Sequence, residues 1–127
     1  MNNYFRPRRS MLYVPGCNPH YLEKARSLQV DSIILDLGAP ILLSAKEESR
    51  NNVVNALKQG GYDNREVVVR VNDLDSEWGY DDVNAVANLG ADAILFPKVE
   101  SPSHVAAAIS ALDAAGAPEA LPIWIMA

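Results

Sequence analysis

Arg70 is the residue with the most chemical consequence, a lone cation in the apolar run Glu66-Val-Val-Val-Arg-Val-Asn72. The valines around it predict a buried strand. A guanidinium at the end of such a strand must find an anion, because an unpaired buried charge is very costly. That anion is either a protein carboxylate, such as Asp36, or the carboxylate or phosphate of a substrate. Planar two-point recognition suits arginine better than lysine. Asp36 ends a second apolar run, Ser32-Ile-Ile-Leu-Asp-Leu37, much as Arg70 ends its own. A contact between the two would orient the guanidinium and leave part of its fork for a ligand.

Other chemistry-bearing residues fall at the ends of apolar runs. Asn72 lies two positions beyond Arg70, and strand alternation puts both on one side. Tyr13 precedes Pro15-Gly16, and Lys98 follows Ala93-Ile-Leu-Phe-Pro97. A strand-end lysine can be desolvated and form a Schiff base. A surface lysine paired with Glu100 is the preferred reading of Lys98. His20 and His104 are too far apart to suggest a metal pair, and Trp78-Gly79 could line a pocket or anchor a loop. Cys17 is the only cysteine, so no disulfide can form within the chain and no cysteine metal site is available. No Ser-His-Asp arrangement, P-loop or paired metal-ligand motif is present.

The elements that must position these residues alternate. Strands are predicted at Met11–Pro15, Ser32–Leu37, Glu66–Val71, Ala93–Phe96 and Leu121–Met126. Between them, Asn18-Pro19 opens a helix as cap and first residue. Ser44-Ala-Lys-Glu47 has the spacing of a capping box, and Gly60-Gly61 closes the helix that it opens. A third helix runs about Asp81–Leu89, and a fourth starts at Ser101-Pro102 and ends near Gly116. Such alternation with short connections implies a parallel sheet with right-handed crossovers. Two architectures fit, an open doubly wound sheet or part of a (β/α)8 barrel. The absence of Gly-x-Gly-x-x-Gly after the first strand weakens a dinucleotide-binding sheet. The expected fold class is therefore α/β, the N-terminal portion of a (β/α)8 TIM barrel with about five strands and four helices. Residues 1–127 read as one domain, an incomplete portion of a larger polypeptide.

A net charge of −5 and a pI near 4.9 argue against a nucleic-acid binder, although Arg6, Arg8 and Arg9 crowd together at the start. No run approaches the ~18 apolar residues that would span a bilayer. The first residues lack the apolar stretch of a secretory signal. A cytoplasmic location is expected.

Five phrases in order carry a resemblance. They are Arg8-Arg-Ser-Met-Leu-Tyr-Val-Pro-Gly16, Asp31-Ser-Ile-Ile-Leu-Asp-Leu37, Val69-Arg-Val-Asn72, Gly90-Ala-Asp-Ala-Ile-Leu-Phe-Pro-Lys-Val-Glu-Ser101 and Pro122-Ile-Trp-Ile-Met126. Together they resemble the citrate lyase β-subunit-like family of the HpcH/HpaI aldolase superfamily, across nearly the whole chain. The resemblance implies a Mg²⁺-dependent barrel, often trimeric, that makes or cleaves C–C bonds in citryl, malyl, methylmalyl or citramalyl thioesters. It implies that Arg70 holds the oxo-acid carboxylate and that Tyr13 and Lys24 contact the CoA portion, with Lys24 meeting phosphate. His20 falls where some relatives carry a further lysine.

Two departures follow from the same comparison. The family usually places Glu-Asp after Leu35-Asp-Leu37, where this chain has Gly38-Ala39 and then Pro40. The family's metal-binding glutamate and aspartate are expected beyond Ala127, so no metal ligand is assigned within the chain. The expected function is a C–C lyase acting on an acyl-CoA thioester and an oxo acid, as a homo-oligomer with no nucleic acid or membrane partner. The alternatives are a non-catalytic relative that binds CoA or a partner subunit, and metal-free aldolase chemistry through Lys98.

Overall fold

The computed structural model describes residues 10–38, 45–62 and 65–125. Arg6, Arg8, Arg9, Ala39, Pro40, Ser44 and Met126 lie outside them. The order is β1 (Met11–Pro15), α1 (Pro19–Lys24, continued by a 3-10 turn at Ala25–Ser27), β2 (Ser32–Asp36), α2 (Lys46–Gln59), β3 (Glu66–Arg70), α3 (Gly79–Val86), β4 (Ala93–Phe96), α4 (Pro102–Ala114) and β5 (Ile123–Ile125). All neighbouring strands pair in parallel, in the order β1-β2-β3-β4-β5.

Period-2 alternation divides each strand between two faces. Ile33, Leu35, Leu37, Val67, Val69, Val71, Ile94 and Phe96 point toward the helices. They pack there with Leu22, Val53, Ala56, Val83, Val86, Ala111 and Leu112. The opposite face is a second, smaller cluster of Ile34, Val68, Ala93 and Leu95, with Trp124 packed against it. Both faces of β2 and β3 are thus covered, which is why their sequences read as continuous apolar runs. Each fully buried branched side chain contributes roughly 1.5–3 kcal/mol of transfer free energy.

Helix starts follow local chemistry. The Asn18 side chain accepts from the Tyr21 N–H at 3.2 Å with Pro19 in the first turn, and Ser101 accepts from His104 N–H at 3.3 Å ahead of Pro102. Helix α2 begins at Lys46 without a side-chain cap. The capping box proposed there includes Ser44, outside the described residues. Helix α3 stops at Val86, three residues short of the expected Leu89.

Arg26 straps α1 to α2, donating from Nε to the Gly60 carbonyl at 2.6 Å and lying 4.8 Å from the Tyr62 ring centroid. Tyr62 is buried and its hydroxyl donates to the Leu22 carbonyl at 3.1 Å. Burial raises its pKa above the ordinary tyrosine value, opposed by the Arg26 charge and aided by Glu23. The folded state therefore holds this proton more tightly than the unfolded chain. The resulting stability is complete below pH ~10 and is lost as pH rises through the higher folded value. Thermal unfolding between pH 9 and 11 should show a steeper alkaline loss of stability in the parent protein than in Tyr62→Phe.

Candidate functional site

The strand register lines up one row at the C-terminal ends of the sheet: Pro15, Asp36, Arg70, Leu95 and Trp124. This row holds one cation and one anion, flanked on the β4 side by apolar residues. Ligands of parallel sheets and barrels bind at this end.

Arg70 NH1 meets Asp36 Oδ2 at 3.3 Å, with the arginine side chain 23% exposed and the aspartate 8%. The other Asp36 oxygen, Oδ1, accepts from the Gly38 N–H at 2.8 Å. Charge-assisted N–H···O bonds usually close to about 2.7–2.9 Å, so the Arg70 contact orients the fork without saturating it. The Nε of Arg70 is buried and has no hydrogen-bond partner among the described residues. Gly38 lies directly against that edge: a Cβ on it would sit 3.1 Å from Arg70 Nε and 3.4 Å from Cζ. A larger residue at 38 would press on the guanidinium, so glycine here fixes where the fork can lie.

Asn72 occupies a different setting. It is buried, and its backbone N–H and Nδ2 both donate to Asp82 Oδ2, at 2.9 and 2.6 Å. Its Oδ1 accepts from Lys46 Nζ at 2.9 Å. Asp82 uses its second oxygen to pair with Arg50 Nε at 2.9 Å. The amide thus keeps a single N–H for any ligand and otherwise ties the exit of β3 to α2 and α3. The segment between β3 and α3 turns tightly: a Cβ on Gly79 would run into the Asp73 carbonyl and lie 2.7 Å from the Leu74 Cα. Gly79→Ala must displace backbone and should destabilise the protein by about 3 kcal/mol in denaturant titration.

Sequence reasoning misses Lys46, Arg50 and Asp82 as members of the site. A signal for Lys46 exists in the helical period, since it stands seven residues before the core residue Val53 and therefore on the same face of α2. The signal for Asp82 is weaker, because an acid in the first turn of a helix is ordinarily explained by the helix dipole.

Lys98 is at the surface, as expected, but with another partner. Its side chain is 74% exposed and pairs with Asp73 Oδ2 at 3.7 Å, not with Glu100. The loop takes left-handed backbone at Lys98, φ +54°. The Glu100 backbone N–H donates to His104 Nδ1 at 3.0 Å. An ammonium this open to water lacks the desolvated setting that a Schiff-base lysine needs, which removes the physical ground for that chemistry. Tyr13 and Lys24, by contrast, line one groove of about 370 Å³ along the edge of β1, with Tyr21, Pro15 and Leu28.

No three His, Cys, Asp or Glu side chains converge as a metal site among the described residues. The Asp36 carboxylate is committed to Arg70 and the Gly38 N–H, and the Asp73 carboxylate to Lys98 and the Asp75 N–H. The described residues therefore do not by themselves fit a Mg²⁺ ion. No described helix is long and apolar enough to cross a membrane.

The sequence profile described as HpcH/HpaI aldolase/citrate lyase matches residues 9–119. The chain belongs to this family. It is 41% identical over 120 residues to a (3S)-malyl-CoA thioesterase of Cereibacter sphaeroides (strain ATCC 17025), covering 94% of this chain and 40% of the relative. It is 40% identical over 100 residues to citrate lyase subunit beta of Escherichia coli (strain K12), covering 79% and 33%. The chain thus spans at most about 40% of the length of these curated relatives.

Among solved structures, Haloferax volcanii malate synthase superposes with a TM-score of 0.81 at 16% identity, over 98% of this chain and 43% of that one, a likeness of fold alone. Protein CitE of Mycobacterium tuberculosis, solved with magnesium and acetate, gives 0.64 at 27% identity, over 76% and 39%. The parallel five-stranded sheet with four helices fits a portion of the (β/α)8 barrel.

Proposed function

We propose that this family member is a Mg²⁺-dependent carbon–carbon lyase acting on a 3-hydroxyacyl-CoA-type thioester of the citryl, malyl or citramalyl class. The products would be an acetyl or acyl thioester and an oxo acid. The observation that carries the reading is Arg70: a half-buried guanidinium at the C-terminal end of the sheet, oriented by one long contact to Asp36, with an unsatisfied Nε. A small carboxylate is the ligand that this arrangement fits best, since it can accept from the planar fork at two points.

In the cleavage direction the substrate hydroxyl loses its proton and its carbon becomes the carbonyl of the oxo acid. The C–C bond pair passes to the thioester α-carbon as an enolate, which is then protonated. Arg70 holds the carboxylate of the departing oxo acid, and Asp36 keeps the fork aimed. Tyr13 and Lys24, sharing one groove, are assigned to the CoA portion. Asn72 is assigned to the oxo-acid side through its remaining N–H, and Lys98 to the outer rim, where its charge would attract an anionic substrate. The Mg²⁺ requirement is proposed from the mycobacterial relative, with ligands outside the described residues. A homo-oligomer in the cytoplasm completes the reading, consistent with a single cysteine.

A second reading is hydrolysis of the thioester itself, favoured by the name of the C. sphaeroides relative. The two break different bonds. Protein from the gene's complete reading frame should be assayed on malyl-, citramalyl- and citryl-CoA with and without Mg²⁺. A lyase releases an oxo acid, trapped as its phenylhydrazone, and no free thiol. A thioesterase releases CoA thiol and no oxo acid. Binding of the CoA thioester with neither product would identify a non-catalytic relative, an outcome that the glycine at position 38 makes worth testing.

A further inference from the structure

We propose that Lys46 is a positioning residue for the Arg70 site, clamping the loops that leave β2 and β3 so that the guanidinium meets its carboxylate in one orientation. The inference rests on the reading of Arg70 as the oxo-acid anchor.

Lys46 is 8% exposed, unusual for a lysine, and its ammonium reaches both loops at once. It donates to Asn72 Oδ1 at 2.9 Å, two residues beyond Arg70, and to the Leu37 carbonyl at 3.4 Å, between Asp36 and Gly38. The Trp78 ring lies over it, 5.5 Å from Nζ to the centroid, and shields these contacts from water. The Asp36–Arg70 contact spans 3.3 Å and leaves Arg70 Nε without a partner among the described residues. It is therefore too loose to fix the fork unaided. Beyond the strand ladder, where Leu37 N–H donates to the Arg70 carbonyl at 2.8 Å, the ammonium clamp is what sets the spacing of the two loops.

A stable core gains little from such a group. Desolvating an ammonium offsets much of what its hydrogen bonds to uncharged oxygens return, so stability alone gives weak grounds for a lysine here. Asn72 explains the placement better: its amide is held between Lys46 on α2 and Asp82 on α3, and its main chain continues directly from Arg70. Releasing the Lys46 end lets the β3 exit pivot on Asp82, and a small displacement of a binding group is costly to ligand affinity.

The test compares parent, Lys46→Met, Lys46→Arg and Arg70→Ala forms of protein from the complete reading frame, with Mg²⁺ present. Calorimetry measures glyoxylate and CoA binding, and near-UV circular dichroism confirms that each variant is folded. Lys46→Met should weaken glyoxylate by about tenfold or more while leaving CoA affinity within about twofold, because CoA is assigned to the groove at β1. Lys46→Arg should recover most of the loss. Unchanged glyoxylate affinity in Lys46→Met, or equal loss of both ligands, would overturn the proposal. If Lys46→Met does not fold, Lys46→Gln, which keeps an N–H donor without the charge, decides by the same criteria. Failure of the parent to bind glyoxylate, or indifference to Arg70→Ala, would instead overturn the underlying reading of Arg70.

Discussion

Replacing Arg70 by alanine in protein from the complete reading frame should lower kcat/KM for its CoA thioester by roughly two to three orders of magnitude, the scale seen when one preorganised charge-stabilising donor is removed. Two effects combine. The oxo-acid carboxylate loses its only cation in the row Pro15-Asp36-Arg70-Leu95-Trp124. Asp36 also becomes a buried carboxylate with, among the described residues, only the Gly38 N–H for compensation, so its charge now opposes an anionic substrate. Arg70→Lys should recover part of the activity, since a point charge attracts the carboxylate but cannot grip it at two points. Steady-state kinetics decide the matter. An alanine variant within threefold of the parent would exclude Arg70 as the anchor.

The largest effect on stability is expected at Asp82. This carboxylate is 1% exposed and accepts three hydrogen bonds, two from Asn72 and one from Arg50. Asp82→Ala leaves the Arg50 charge and the Asn72 N–H without their acceptor. Breaking one side of a buried charged pair destabilises by about 3–5 kcal/mol. The Arg50 Nη2 group is already buried without a hydrogen-bond partner among the described residues, so loss of the Asp82 acceptor adds to an existing deficit. Asp82→Asn keeps the shape and one acceptor oxygen and should lose less. Urea titration of both variants checks the order, and equal stability of Asp82→Ala and the parent would show that the cluster is not coupled to folding.

The fold was legible because each level of the sequence agreed. The apolar runs ending at Pro15, Asp36, Arg70 and Phe96 became strands within one residue of the expected bounds. Turn and cap residues such as Asn18-Pro19, Gly60-Gly61 and Ser101-Pro102 fell where the helices start or stop. The Asp36–Arg70 contact could be anticipated because both charges end buried runs in adjacent βα units.

The rest of the site was harder to see for a physical reason. Which partner a polar residue chooses depends on loop paths, and loop paths carry no periodicity. Asn72 was expected to face ligand beside Arg70, yet most of its amide turns to Lys46 and Asp82. Proximity in sequence pairs Lys98 with Glu100, while the left-handed turn at Lys98 delivers it to Asp73. Lys46 was hidden inside a cap motif, where a lysine is usually assumed to be solvated.

The order of the strands bears on how such a chain acquires its shape during synthesis. Every strand lies beside its immediate predecessor, and the Ser32–Glu66 side-chain bond that links β2 to β3 spans 34 residues. Within the described five-stranded sheet no pairing has to wait for a distant segment, so loop-closure entropy stays low at each of these steps. A ribosome emitting this polypeptide could lay down one βα unit after another on a growing template, and Asp36 would already be waiting when Arg70 emerged from the exit tunnel.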